Sequence, residues 1–313
     1  MPGWARMGKS VSSAVGTLFV ASVIIYGGLS IAPGDPAVAL AGNHPTTQQI
    51  AAIRHTLGLD QSLPERYWQW LTGVIQGHLG ESIQFRENIS SLLAGKIATT
   101  FLLVAYAFVI VLIFGIGVGL LPSLARRLNG IVTVVLSVGI ALPSFIAALI
   151  LIQVVSLELG WLPVLGTTGG SFASDLKNLT LPAFALAISW SAYVGQITRA
   201  SIHDAEDADH VETARARGIR PSAVFRRHVV RNAAVPIVTV SALTVAGLVT
   251  GTVVVETVFN VNGIGQLLVK SVLAKDYNVV LEISMIFVAT FVIATTIIDF
   301  VQVMLDPRMK SRA

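Results

Sequence analysis

The stretch RASIHDAEDADHVETARARGIRPSAVFRRHVVRNAAVP, residues 199–236, decides how the chain folds. Seven arginines and five acids fall in these 38 residues, whereas the 313-residue chain as a whole is 54% hydrophobic and only 12% charged. A segment this polar is not stable in hydrocarbon, so it must project from a bilayer between two apolar stretches and meet something outside. Its pattern predicts helix, tight turn, helix. Acids at Asp204, Glu206, Asp207, Asp209 and Glu212 precede Arg215 and Arg217, the order that complements a helix dipole, which predicts a first helix over about 201–217. Gly218 stands where a left-handed C-terminal residue belongs, and Pro221 is suited to a first helical position.

Outward from this segment the chain is membrane protein. Charged residues are half as frequent as in an average soluble domain, where they make up about 25%, and mean hydropathy is +0.75. Six stretches are long and apolar enough to span, at about 11–32, 98–121, 130–156, 181–198, 233–255 and 280–304. The expected fold is an all-α, polytopic membrane helix bundle with six transmembrane helices. The first stretch follows Arg6 and Lys9, but it is longer than a signal-peptide core and ends in Ala32-Pro33-Gly34-Asp35-Pro36 without a small-x-small cleavage pattern; it is read as a retained span. No cysteine is present, which removes disulfides and thiolate metal sites from consideration. The net charge of +4 reads as loop charge that fixes topology rather than as a nucleic-acid surface.

Fourteen basic residues fall with the two termini, Arg126, Arg127 and the 199–236 segment, and seven fall in the alternate loops. By the positive-inside rule both termini and 199–236 are expected to be cytoplasmic. The opposite side receives a loop over about 33–97, in which Tyr67, Trp68 and Trp70 predict a helix lying at the membrane interface. Two organisational parts follow: 1–97, a span with its large outer loop, and 98–313, a core of five spans with the loop 199–236. The Asn-x-Ser/Thr sites at Asn88 and Asn178 read as chance matches. The six histidines are scattered over both faces and read as non-ligating.

Two features inside the spans invite functional readings. Ser241, Thr244, Gly247, Gly251 and Thr252 share roughly one side of the fifth span, either as a face for close helix packing or as a lining for a polar solute path. Asp299, Glu256 and Glu282 are carboxylates near span ends, close enough to water or basic neighbours that a structural role competes with a functional one. Gly3 to Ser10 matches the G-x-x-x-x-G-K-[ST] spacing but runs straight into the apolar span 11–32 and lacks the strand–loop–helix setting of a phosphate loop, so the chain is not expected to be an enzyme hydrolysing ATP by that chemistry, and no cofactor, metal or catalytic residue is assigned to it. A basic loop on a membrane protein also fits a scaffold or sensor that recruits a cytoplasmic partner.

Glu212-Thr213-Ala214, then Gly218, His228, Arg231-Asn232-Ala233 and Pro236 resemble the cytoplasmic loop of permease subunits in ATP-binding-cassette (ABC) importers, in the variant of the dipeptide/oligopeptide/nickel group. Further matches are Pro33-Gly34-Asp35-Pro36, Leu57-Gly58-Leu59-Asp60, His78-Leu79-Gly80-Glu81-Ser82, Glu256-Thr257-Val258-Phe259, Gly263-Ile264-Gly265, Asp276-Tyr277 and Asp306-Pro307-Arg308. Arg217 replaces the usual lysine, His210 a frequent aromatic residue and Asn278 a frequent proline. The resemblance implies a type I importer permease fold in a bacterial-type inner membrane. It implies an ATPase-coupling helix formed by Glu212, Thr213, Ala214, Arg215, Ala216, Arg217 and Gly218. Implied partners are a second homologous permease, two ATP-binding subunits or one fused pair that hold ATP and Mg, and an extracytoplasmic substrate-binding protein. The implied cargo is a di- or oligopeptide carried by alternating access, with nickel chelates, haem or another small solute as the alternative.

Overall fold

The computed structural model describes residues 3–32, 36–41, 45–56 and 58–305, and what it describes is helical apart from connecting turns and one isolated bridge between Glu81 and Asn88. Pro33-Gly34-Asp35, Leu57 and Asp306-Pro307-Arg308 lie outside the described residues, as does the Asp299 side chain. Helix α1 (Gly3–Ile31) leads into the short helices α2 (Pro36–Ala41) and α3 (Thr47–Thr56), then α4 (Leu63–Ile75). Helices α5 (Ile89–Leu93) and α6 (Lys96–Ile110) run through a π-helical turn at Val111–Ile116 into α7 (Gly117–Leu124). Then come α8 (Asn129–Ala141), α9 (Ser144–Leu151), α10 (Phe172–Glu206), α11 (Asp209–Ala216), α12 (Pro221–Val224), α13 (Arg231–Val258), α14 (Ile264–Leu273) and α15 (Tyr277–Leu305).

Four helical stretches are long and apolar enough to cross a membrane: Ser10–Ile31, Ile89–Leu124, Pro221–Val258 and Tyr277–Ile298. A fifth forms if the bent pair Arg126–Ala141 and Ser144–Glu158 counts as one span. The sixth expected stretch, 181–198, lies inside α10, which is 35 residues and so about 52 Å long. It is less apolar than the others because it is the hub of the bundle, packed on α6 to α9 and α13. There, hydroxyls such as Ser189 meet protein groups instead of lipid. The core gathers around it: Leu103 and Ala107 of α6, Leu186 and Val194 of α10, and Leu248 of α13 are all buried. By contrast α1 lies on the outside, with Val15, Val20 and Ile24 exposed.

Two expected helices differ from the sequence reading. The straight span over 130–156 is instead bent by 102° between α8 and α9. Pro143 disfavours helical backbone at Leu142, which is extended at φ −84° and ψ 109°. The Leu142 carbonyl freed by the bend accepts a hydrogen bond of 2.5 Å from the Ser189 hydroxyl of α10, so the break leaves it satisfied. The single helix over 201–217 is likewise divided, α10 ending at Glu206 and α11 starting at Asp209. Ala208 between them is extended, which turns Val211 and Ala214 inward.

Candidate functional site

At the end of the bundle where α10 stops and α13 begins, α11 is held on one side only. Val211 is fully buried and Ala214 nearly so, in an apolar cluster with Ile202 and Ala205 of α10, Val224 and Val229 before α13, and Ala233 and Ile237 within it. Ala205 of α10 and Val211 and Ala214 of α11 come onto this face together although extended Ala208 separates the two helices. The other side is free: Glu212, Thr213, Arg215, Ala216, Arg217 and Gly218 are exposed. Of the seven residues assigned to the coupling helix, six therefore form an open surface and Ala214 anchors it.

The turn that ends α11 is built by Gly218. Its φ is +74°, the left-handed region, and its N–H donates to the Arg215 carbonyl at 3.0 Å while the Ile219 N–H donates to the Ala214 carbonyl at 3.3 Å. That pair of bonds closes the helix C-terminus in a Schellman arrangement. Pro221 then starts a helix that continues without interruption through a π-helical stretch, Phe225–Val230, into α13. Val224 and Val229 point inward while Arg226, Arg227 and Arg231 are exposed. Asn232 on α13 reaches back to the His210 ring of α11, at 2.7 Å from Nε2. A force applied to α11 therefore has two direct outlets, into α10 across the Asp207–Ala208 break and into α13 through one continuous helix.

The α13 face identified from sequence lies inside the chain, against α10. Ser241, Thr244 and Thr252 are buried, and each hydroxyl donates to a carbonyl of its own helix, Ile237, Ser241 and Val249 respectively. At Gly247 the six-membered ring of Trp190 occupies the space a β-carbon would need, and at Gly251 a β-carbon would lie 2.7 Å from Leu186 Cδ1.

The opposite end of the bundle is tied by three carboxylates, Glu256, Asp276 and Glu282. Glu256, fully buried, accepts from the Thr100 hydroxyl of α6 at 2.6 Å and from the Gln266 N–H at 3.0 Å, while the Thr100 oxygen accepts from the Ile264 N–H at 2.9 Å. Glu256 thus fastens the start of α14 to α6. Asp276, also fully buried, accepts from the Ser82 hydroxyl at 2.5 Å and the Gln84 N–H at 3.0 Å. Glu282 accepts from the Trp70 indole N–H at 2.7 Å, which ties α4 to α15. Thr100 and Gln266 fall in none of the sequence motifs, and Ser82 ends the His78–Ser82 motif with no partner assigned to it. Nothing in the sequence points to the contacts that join Thr100 to Glu256 and Ser82 to Asp276 across 156 and 194 positions.

The inner membrane component of binding-protein-dependent transport systems matches residues 112–311, and the N-terminal part of such membrane components matches residues 7–104. The chain belongs to this family: it is a permease subunit of an ABC importer and a multi-pass membrane protein. Among its relatives, the glutathione transport system permease protein GsiC of Escherichia coli K12 is 34% identical over 307 residues, covering 96% of this chain and 97% of the relative. GsiC of Pectobacterium atrosepticum is 33% identical over the same length and coverage. The fold is also that of solved transporters. An amino acid ABC transporter crystallised with histidines superposes with a TM-score of 0.56 at 19% identity, covering 68% of this chain and 94% of that one. The MetNI methionine ABC transporter in inward-facing conformations superposes with a TM-score of 0.53 at 16% identity, covering 70% and 94%.

Proposed function

We propose that this chain forms half of the channel of an importer for di- or oligopeptides, with α11 and its Gly218 turn as the element on which an ATP-hydrolysing subunit acts. The observation that carries the coupling role is the one-sided anchoring of α11: an exposed face from Glu212 to Gly218, backed by an apolar face shared by α10 and α13. ATP binding closes two ATPase subunits, or one fused pair, against the α11 surfaces of this chain and a second, homologous permease. The helices behind those surfaces then reopen the channel toward a substrate-binding protein on the other side. ATP and Mg bind to the partner subunits. In this reading α11 and both termini are cytoplasmic, and the α13 residues Ser241 to Thr252 serve the contact with α10 that transmits the movement.

The peptide cargo rests on the GsiC relatives, named for the transport of glutathione, itself a tripeptide, and on their match over nearly the whole chain. The test is a reconstituted complex of this permease, its partner permease, the ATPase subunits and the binding protein in proteoliposomes. ATP-dependent uptake of labelled glutathione or short peptides is expected, with ATP turnover stimulated by the loaded binding protein. Uptake confined to nickel chelates or haem overturns the peptide assignment alone. Absence of any coupled uptake by an assembled complex overturns the transport assignment.

A further inference from the structure

The hub helix α10 has one uncovered window. Lys177 and Arg199, 22 residues and so about 33 Å apart, bracket an uncharged stretch of the length that crosses a bilayer. Across 181–198 only Tyr193 and Gln196 are exposed. They lie one turn apart on one side of α10, and half-buried Trp190 stands a turn before Tyr193 on the same side. The Trp190 and Tyr193 rings meet edge to face, 6.1 Å between centroids. Trp190 also covers Gly247 of α13, and one turn to either side of that glycine Leu243 and Thr250 are exposed. Two helices therefore share the window, and what α10 offers in it is an indole, a phenol and an amide without a charge.

Lipid is a poor match for such a surface. Among the described residues the Trp190 indole N–H, the Tyr193 hydroxyl and the Gln196 amide have no hydrogen-bond partner, whereas nearby Ser189 donates to the Leu142 carbonyl. Polar groups left unpaired in hydrocarbon are costly, so helices in a bilayer turn them toward protein or water. Trp190 and Tyr193 are about 14 and 9 Å along the helix from Arg199, deeper than the interfacial belt where such rings collect. Helix α8 shows what a lipid-compatible face contains at this depth. Its Gly139 packs against Ala192, which sets Val138 level with Tyr193, and Ile131, Val134, Val135 and Val138 are exposed along it.

We infer that this window is a wall of the translocation path, where Trp190, Tyr193 and Gln196 hydrogen-bond the backbone of a passing peptide. The inference rests on the peptide-importer reading given above. Together the three side chains supply donors and acceptors, the two functions that every peptide bond presents, with no charge to favour one cargo side chain over another. Position agrees with this chemistry. Helix α10 leads into α11 across the Asp207–Ala208 break, and α13 is continuous with the helix that follows Gly218, so a displacement of α11 moves both helices of the window. The competing occupant is the second permease. Water separates the two, because a path is wetted in some state of the cycle and a packed contact is not.

The test uses the cysteine-free chain in its assembled complex, in nanodiscs with and without ATP. Tyr193→Cys, Gln196→Cys and, as the aliphatic reference, Val138→Cys are treated with a charged methanethiosulfonate, which modifies thiols in water and not in hydrocarbon. Faster reaction at Tyr193→Cys than at Val138→Cys is expected in one nucleotide state, slowed by binding protein loaded with the thiol-free tripeptide S-methylglutathione. Equal rates in both states overturn the inference and leave the window covered by lipid or by the second permease. If Tyr193→Cys does not assemble, Gln196→Cys decides by the same comparison. In proteoliposomes, Tyr193→Phe and Gln196→Leu should each lower the peptide delivered per ATP hydrolysed about fivefold, the worth of one ordinary hydrogen bond, while ATP turnover stimulated by loaded binding protein stays near normal. A merely structural role would lower both together, and unchanged delivery in both variants overturns the peptide contact. A wild-type complex that takes up no peptide overturns the cargo reading and this inference with it, whereas a dry window in a complex that takes up peptide overturns this inference alone.

Discussion

At the level of single residues, Gly218 and Glu256 carry opposite kinds of constraint. Gly218 holds a φ of +74° with open space around it, so a larger side chain is opposed by backbone conformation and not by crowding. Left-handed backbone costs an ordinary residue about 1–2 kcal/mol, too little to unfold the bundle but enough to disturb the turn that caps α11. Gly218→Val should leave insertion and expression near normal while reducing ATP-driven uptake and the turnover stimulated by loaded binding protein. Gly218→Asn, which tolerates the conformation better, should be milder. Normal coupled transport by an assembled Gly218→Val complex would remove this turn from the coupling route. Glu256 is constrained by its partners: Glu256→Ala strands the Thr100 hydroxyl and the Gln266 N–H in a buried place, at about 1–3 kcal/mol for each group left unpaired. A lowered melting temperature for the detergent-purified chain is expected, with Glu256→Gln losing less because the amide oxygen still accepts. Equal melting temperatures for Glu256→Ala and the wild type would show that the clasp at the start of α14 contributes nothing net.

At the level of elements, the α10–α13 contact depends on Gly247 lying flat against Trp190. Gly247→Ala should destabilise the purified chain by about 1–3 kcal/mol, the usual range for overpacking. Shrinking the opposing ring, in the double variant with Trp190→Leu, should recover part of that loss. Additive losses in the two single variants would mean the contact does not couple them. The same elements show what a sequence can and cannot express. Spans such as 280–304 were legible because length and hydropathy are local quantities, and the α11 turn was legible because Gly218 and Pro221 signal their backbone state on their own. The bend at Pro143 was overlooked because hydropathy is continuous across it, although the proline was in plain view. The break at Asp207–Ala208 was hidden for a related reason: helix propensity runs unbroken there, and tertiary burial of Val211 and Ala214 overrides it. The ties of Glu256 to Thr100 and of Ser82 to Asp276 join residues 156 and 194 positions apart, a distance at which periodicity carries no information.

For the whole molecule, the question is which way the bundle stands in the membrane. Arg199 donates to Asn129 at 2.7 Å, which brings the Arg126–Arg127 turn to the same end as α11 and its exposed arginines. Tyr26 and Ser30 of α1 and Tyr277 and Asn278 of α15 line one cavity at the other end. One end thus collects Arg126, Arg127, Arg199 and the six arginines from Arg215 to Arg231, and the other holds mainly the loop leading into α4. Lysine and arginine near span ends tend to be retained on the cytoplasmic side during insertion, which is the ground on which we propose that the arginine-rich end faces the cytoplasm. Because the chain contains no cysteine, a single introduced thiol reports its side without background. Ser222 and Gln61 are both exposed, one beside the α11 turn and the other in the loop before α4. In intact cells or spheroplasts, Ser222→Cys should resist a membrane-impermeant maleimide until the membrane is opened, whereas Gln61→Cys should react at once. The reverse pattern would place α11 outside, beyond reach of a cytoplasmic ATPase, and would overturn both the orientation and the coupling role proposed for Glu212 to Gly218.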